Sequence, residues 1–180
     1  MKRITSSILF VLILLFSVGG AHGELSVVAS IKPIHSLVSA VMHGSSRPVL
    51  IVQSGGSPHT FSMKPSQAAI LGNAELVFWV GAGLESFLIK PVKTIASNAL
   101  SVELIRVQGL TKLKFRREKD FETLVFGGHQ EEGENVSKNE HTNHEHDKFD
   151  PHIWLDPVNA KVLVHEIKRI LVQVDPGNMK

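Results

Sequence analysis

Short, uninterrupted apolar runs alternate with amphipathic segments between residues 25 and 105. Apolar runs of this length, bounded by glycine, proline and polar residues, are typical of buried strands. Four of them predict strands over residues 25–31, 49–52, 75–83 and 100–105. Because the connecting segments are short and helical in pattern, the sequence predicts an α/β fold: a mostly parallel four-stranded sheet with helices on both faces.

The connecting segments carry apolar residues at helical spacing. Residues 32–43 predict one helix that ends at Gly44, and a shorter helix is expected to begin near Pro65. The helical pattern of residues 84–98 is expected to be interrupted before Pro91, because proline removes a backbone donor. In the first helix the apolar positions are Ile34, Leu37, Val38, Val41 and Met42.

The alternation stops near Arg106 and resumes at residue 149. Residues 24–105 therefore form the predicted α/β lobe, residues 106–148 a flexible loop rich in histidine and acids, and residues 149–155 a return to the lobe. A helix is predicted over residues 156–174, with Asp156 as N-cap and Pro157 in the first turn. Its apolar stripe is expected to consist of Val158, Val162, Val164, Ile167, Ile170, Leu171 and Val174.

The first 23 residues have the pattern of a secretory signal peptide. A basic start precedes an apolar run over residues 8–18, which is short for a membrane span, and small residues Ala21 and Gly23 predict cleavage after Gly23. The alternative is an uncleaved anchor.

Without Lys2 and Arg3, 17 of the 19 basic residues remain against 17 acidic ones, so charge does not favour nucleic acid as a partner. The chain has no cysteine, and we expect a protein of the periplasm.

The chain has ten histidines, and imidazole is a ligand suited to zinc and its neighbours. Four of these histidines lie among acids in the loop of residues 106–148, a composition that predicts weak metal attraction. The alternative is a solvated linker. The four loop histidines are His129, His141, His144 and His146.

Two further histidines stand next to ordered elements. His59 follows the second predicted strand in a turn rich in glycine and proline, and ligands collect at the carboxyl ends of strands in open α/β sheets. His152 directly precedes Ile-Trp-Leu and the predicted helix cap. Taken alone, His59 fits a turn residue facing water better than it fits a ligand, and His152 fits either role equally well. His35 fits a capping or packing role, His43 suits the C-terminus of the first helix, and His165 is expected to be exposed in mid-helix. His35 is the strongest candidate ligand among them.

Two stretches are specific enough to carry a family resemblance. They are SPHTFSMKPSQ, residues 57–67, and DPHIWLDP, residues 150–157, with the histidine- and acid-rich insertion between them. Together with VVASIKPIHSLVSAV after a signal peptide, they make the chain resemble the periplasmic zinc-binding proteins of zinc ABC importers. These belong to a larger cluster with manganese binders and streptococcal surface adhesins. The resemblance covers essentially all of the chain after residue 23.

The resemblance implies two α/β lobes that flank a metal cleft and are joined by a long helix. It implies that His59 and His152 are metal ligands and that Zn²⁺, rather than Mn²⁺, is bound, because zinc members carry the loop. It also implies delivery to an ABC transporter permease in the inner membrane, without enzymatic chemistry. The second lobe, with its further histidine and acidic ligand, has no counterpart in the sequence, so we expect a form truncated to the first lobe and linking helix, either as a fragment or as a shortened gene product.

Other functions stay open at this point. A truncated remnant acting as a weak periplasmic metal buffer is one, and a manganese-binding or adhesin-type member is another. A zinc hydrolase is disfavoured, because it needs a general base beside the metal and the sequence has no His-Glu-x-x-His motif; the stretch HEIKR at His165 lacks the second histidine.

Overall fold

A four-stranded, fully parallel sheet forms the centre of the molecule. A computed structural model describes residues 23–53, 56–115 and 149–178. The strands stand in the order β2-β1-β3-β4, which confirms the predicted fold class. Their bounds are Val27–Ala29 for β1, Val49–Leu50 for β2, Leu76–Trp79 for β3 and Leu100–Glu103 for β4.

Each strand is shorter than the apolar run that predicted it. The reason is visible at the end of β2, where Ile51 and Val52 are buried and donate backbone hydrogen bonds to Ala29 and Ser30 of the neighbouring segment, although the ladder has ended. An apolar run thus reports burial, and burial continues beyond the regular pairing of the strands.

The helices connect the strands as predicted. The interruption expected before Pro91 is present: residues 84–98 contain a 3₁₀ turn, Ser86–Leu88, and then a single helical turn that starts at Pro91, where the proline costs no hydrogen bond. The helical parts are shorter than predicted. Further 3₁₀ turns among the described residues cover Leu104–Arg106 and Ile153–Leu155. In the part of the chain that the structure describes, the helices are α1, Lys32–Val41; α2, Pro65–Gly72; α3, Pro91–Thr94; and α4, Pro157–Val174.

Helices lie on both faces of the sheet. The step from β1 to β2 runs in the opposite direction from the step from β2 to β3, so right-handed crossovers place α1 and α2 on opposite faces. Helix α1 packs against the sheet and against α4. Since both faces are covered, every residue of β1 and β3 is buried.

The buried face of α4 differs from the predicted stripe. Val158 is 62% exposed and Val174 is also exposed, whereas Leu163, which was left out of the prediction, is fully buried. The helix carries more apolar residues than one face can hold, so periodicity alone did not fix its rotation. The residues that α4 buries are Asn159, Leu163, Ile167, Ile170 and Leu171.

Several predictions fall outside the described residues. These are the signal peptide and its apolar run, and the four loop histidines His129, His141, His144 and His146. Within the described ranges, no helix combines the length and the apolar character needed to cross a bilayer.

Candidate metal-binding site

His59 and His152, which are far apart in sequence, face each other in the fold. Their ring centroids are 5.7 Å apart and the ring planes are inclined by 49°. His59 belongs to the turn after β2, and His152 lies between Phe149, which forms a β-bridge with Lys114, and the 3₁₀ turn before α4. The fold therefore brings together the two histidines that sequence reasoning selected.

The spacing of the two rings fits a shared metal ion. Zinc–nitrogen bonds of about 2.1 Å and a tetrahedral angle place the centroids of two imidazoles on one ion roughly 5.3 Å apart. The observed separation of 5.7 Å is close to this value.

The pair opens into a cavity of about 310 Å³ at the carboxyl edge of the sheet. Residues that follow β1 and β2 form one wall, which is where ligands bind in open α/β folds. Lys32 contributes a cation to this lining, and its charge opposes that of a bound metal ion. The lining residues are Ile31, Lys32, Pro33, Val52, Gln53, Gly56, Pro58, His59, His152 and Trp154.

His152 is held by its neighbours on two sides. Its ring Nδ1 lies 2.6 Å from Oδ1 of Asp150, and its backbone N–H donates to the same oxygen at 2.9 Å. Trp154 contacts the ring edge-on, with centroids 5.3 Å apart. The hydrogen bonds from the His152 backbone N–H and ring lower the pKa of Asp150. Asp150 was missed by sequence reasoning; the signal for it was its place two residues before the candidate ligand.

The segment that carries His152 is anchored at both ends. Asp150 N–H donates to the Leu113 carbonyl at 2.8 Å, and Ile153 is buried in the core. Beyond the 3₁₀ turn, the Asp156 side chain accepts hydrogen bonds from Val158 N–H and Asn159 N–H, as its predicted N-cap role requires. His152 therefore sits on an ordered stretch of chain.

The turn that carries His59 is packed at its base. A Cβ on Gly56 would lie 3.0 Å from the Phe61 ring and 3.3 Å from Val52. Phe61 in turn packs on Phe87, with centroids 4.9 Å apart. His59 itself is exposed, and within the described residues its ring contact is with His152.

The other described histidines lie elsewhere. His35 Nε2 lies 3.0 Å from the Pro48 carbonyl and its Nδ1 lies near the Ser39 hydroxyl, so both ring nitrogens are used in packing α1. His165 Nδ1 contacts the Lys161 carbonyl within α4, and His43 is exposed at the end of α1. Across residues 23–53, 56–115 and 149–178, no group of three or more His, Cys, Asp or Glu side chains could hold a metal ion.

Comparison with known proteins identifies the family. Residues 27–180 match the family described as "Zinc-uptake complex component A periplasmic". The chain belongs to this family. The match confirms the resemblance drawn from the two sequence stretches.

Among curated members of the zinc-uptake component A family, the chain is similar to the high-affinity zinc uptake system protein ZnuA of Brucella abortus (strain 2308). The two are 43% identical over 164 residues, which cover 83% of this chain and 49% of the relative. The chain thus spans about half the length of the curated relatives it matches.

Solved structures show the same fold. One is the Zn(II)-bound ZnuA-like domain of AdcA from Streptococcus pneumoniae, at a TM-score of 0.60 and 19% identity, covering 86% of this chain and 46% of that one. Another is a Mn-bound periplasmic metal-binding protein from Candidatus Liberibacter asiaticus, at a TM-score of 0.62 and 16% identity, covering 86% and 47%. At these identities the likeness is evidence for the fold alone.

Proposed function

We propose that this chain binds Zn²⁺ in the periplasm and acts in the substrate-binding component of a zinc ABC importer. The observation that carries the proposal is the facing pair His59 and His152 at the carboxyl edge of the sheet, 5.7 Å apart and spaced for one ion. Membership of the zinc-uptake component A family supports zinc as the cargo. Under this proposal the ion is captured and released, without covalent chemistry.

Zinc is favoured over manganese by the donors in the cavity. Two imidazole nitrogens are suited to zinc, whereas manganese prefers carboxylate, carbonyl and water oxygens. In the described residues the pair is not joined by a carboxylate that could complete a metal site. Two imidazoles supply about half of the ligands of a four-coordinate zinc ion, so water, loop histidines or another protein segment would occupy the remaining positions.

Residues 24–105 and 149–155 would act as one metal-binding lobe in this proposal. The loop of residues 106–148, with His129, His141, His144 and His146, would attract zinc weakly. Helix α4 would link the lobe to the rest of the transport component, which would deliver the ion to an inner-membrane permease. The half-length match to curated relatives fits the extent of one lobe with its linking helix.

Zinc titration against a competing chelator tests the proposal. Wild-type protein is compared with a His59→Ala, His152→Ala double variant and with a matched variant in which His129, His141, His144 and His146 are all changed to Asn. We expect one tight ion in the wild type and in the loop variant, and none in the double variant.

The opposite pattern would support a weak metal buffer. If the double variant binds zinc like the wild type while the loop variant loses it, the loop alone binds metal and the proposed site is wrong. A parallel titration with Mn²⁺ addresses the metal. Manganese binding at least as tight as zinc binding would favour a manganese-type member of the larger cluster.

A further inference from the structure

We propose that Asp150 is a positioning residue that keeps the metal-free His152 ring in one tautomer, with its proton on Nδ1 and the Nε2 lone pair free for the ion. This deepens the proposed zinc-binding function and rests on it for its consequence, although the tautomer itself is a property of the metal-free chain. The geometry that carries it is the 2.6 Å contact between His152 Nδ1 and Asp150 Oδ1.

The direction of the hydrogen bond follows from the acceptor. An aspartate carboxyl ordinarily has a pKa near 4, so it is ionised at neutral pH and can only accept hydrogen bonds. Nδ1 of His152 must then be the donor, and a neutral imidazole with a proton on Nδ1 has its lone pair on Nε2. A ring that bound metal through Nδ1 would lose this contact.

Asp150 is itself fixed before any ion arrives. The same Oδ1 accepts the backbone N–H of His152 at 2.9 Å, which closes a turn across Pro151. Pro151 is buried and its ring restricts the backbone dihedral between the two residues. On the other side, the Asp150 backbone N–H donates to Leu113. The carboxylate therefore positions the ring rather than following it.

The two histidines of the site are unequal in this respect. In the described part of the chain, His59 has no ring hydrogen bond comparable to the one between His152 and Asp150. Hydrogen-bonded carboxylates that orient histidine ligands and raise their basicity are worth about 10- to 100-fold in metal affinity. We infer that His152 is the preorganised ligand and that His59 adjusts to the ion.

The tautomer can be read directly by two-bond ¹H–¹⁵N NMR of the imidazole rings in metal-free protein at about pH 8. The His152 signals are assigned by their loss in a His152→Gln variant. We expect the wild-type ring to carry its proton on Nδ1. A His152 ring with its proton on Nε2 in the wild type would overturn the proposal, whatever the variants do.

Variants of Asp150 separate positioning from folding. Asp150→Ala removes the acceptor, and we expect His152 to shift toward the tautomer with the proton on Nε2 and zinc affinity to fall by about 10- to 100-fold. Asp150→Asn keeps a carbonyl oxygen for both donors, so it should keep the tautomer and lose less than tenfold in affinity. Asp175→Ala, at the far end of α4, is the matched control and should change neither property.

The outcomes distinguish this inference from the proposed function. If the wild type binds zinc tightly while Asp150→Ala keeps both the tautomer and an affinity within twofold of it, Asp150 has no positioning role. If Asp150→Ala does not fold, the test rests on Asp150→Asn. Loss of the Nδ1–H tautomer of His152 in that variant would contradict the positioning role of the side-chain oxygen. If the wild type shows the expected tautomer but binds no zinc tightly, the inference about the ring stands and the proposed function fails.

Discussion

Glu85 is the clearest case in which a single residue reveals a constraint on the fold. Its side chain is fully buried, and its carboxylate accepts hydrogen bonds from the Ser30 hydroxyl and from the backbone N–H groups of Val80 and Gly81. These donors come from the ends of β1 and β3, so one carboxylate ties the two central strands together at the edge that carries the cavity. Burial raises the pKa of Glu85, and the three hydrogen bonds lower it. Burial has the larger effect, so the pKa is about 6.

The raised pKa of Glu85 predicts a pH dependence of stability. Because the native carboxyl binds its proton more tightly than the unfolded one, the free energy of unfolding should fall as pH rises from about 4.5 to about 6. A shift of this size corresponds to an effect on the order of 2 kcal/mol. Urea unfolding of the wild type and of Glu85→Gln across about pH 4 to 7.5 isolates this effect. The free energy of unfolding of the wild type, relative to that of the variant, should be larger at the acid end.

Glu166 provides the control for Glu85. Its pKa is lowered by the Arg169 side-chain hydrogen bond, so its contribution to stability is present above its ordinary pKa and lost as pH falls through the lower, folded value. The difference between wild type and Glu166→Gln should therefore run in the opposite direction with pH. A Glu85→Gln difference that is flat, or that follows the Glu166 pattern, would contradict the assigned role of burial.

Among the elements, α4 is held to the rest of the molecule by a polar contact as well as by its apolar face. Asn159 is buried in its first turn; its side-chain N–H donates to the Thr111 carbonyl and its oxygen accepts the Thr111 backbone N–H, both at 2.8 Å. The amide thus pairs with the backbone as a neighbouring strand would. The Thr111 segment leads to Leu113 and Lys114, which support the chain around His152.

Replacing Asn159 tests this link between elements. In an Asn159→Ala variant both Thr111 groups lose their partner, and we expect a loss of about 1–3 kcal/mol in the free energy of unfolding, measured by urea titration. Asn178→Ala is the matched control, because that amide is exposed near the chain end and hydrogen bonds to Asp175. It should change stability by less than about 0.5 kcal/mol. Equal effects of the two variants would refute the structural role of Asn159.

The predictability of each element followed from the range of its interactions. The parallel pairing of the strands could be predicted because apolar runs joined by short helical connections leave few topologies, whereas the strand order was not predicted. The cap at Asp156 is a local signal and was also predicted. The face of α4 was not, because Leu163 and Val158 are equally apolar in sequence and only packing against α1 distinguishes them. Asn159 was missed for the same reason, because its partner Thr111 is set by folding. Asp150 was missed although its contacts with His152 are local.

At the scale of the whole molecule, the candidate site joins two parts of the chain that are separated by the loop. His59 lies on the turn after β2 and His152 on the return to the lobe before α4. Both histidines can bind one ion only in the folded state, because only folding brings them together. Binding to the native state alone adds about 2.7 kcal/mol of stability when free ligand is at 100 times its dissociation constant. Zinc bound by loop histidines alone does not require these two segments to be paired, so it need not stabilise the folded state.

Thermal unfolding with and without zinc therefore separates the two modes of binding. We expect zinc to raise the Tm of the wild type and of the variant with Asn at His129, His141, His144 and His146, because both keep the pair across the cavity. The His59→Ala, His152→Ala variant should show no rise, even where titration detects weakly bound zinc. Mg²⁺, which prefers oxygen ligands, is the control ion and should leave all three unchanged. A zinc-dependent rise that survives in the double variant but disappears with the loop histidines would place the stabilising ion in the loop and exclude His59 and His152 as its ligands.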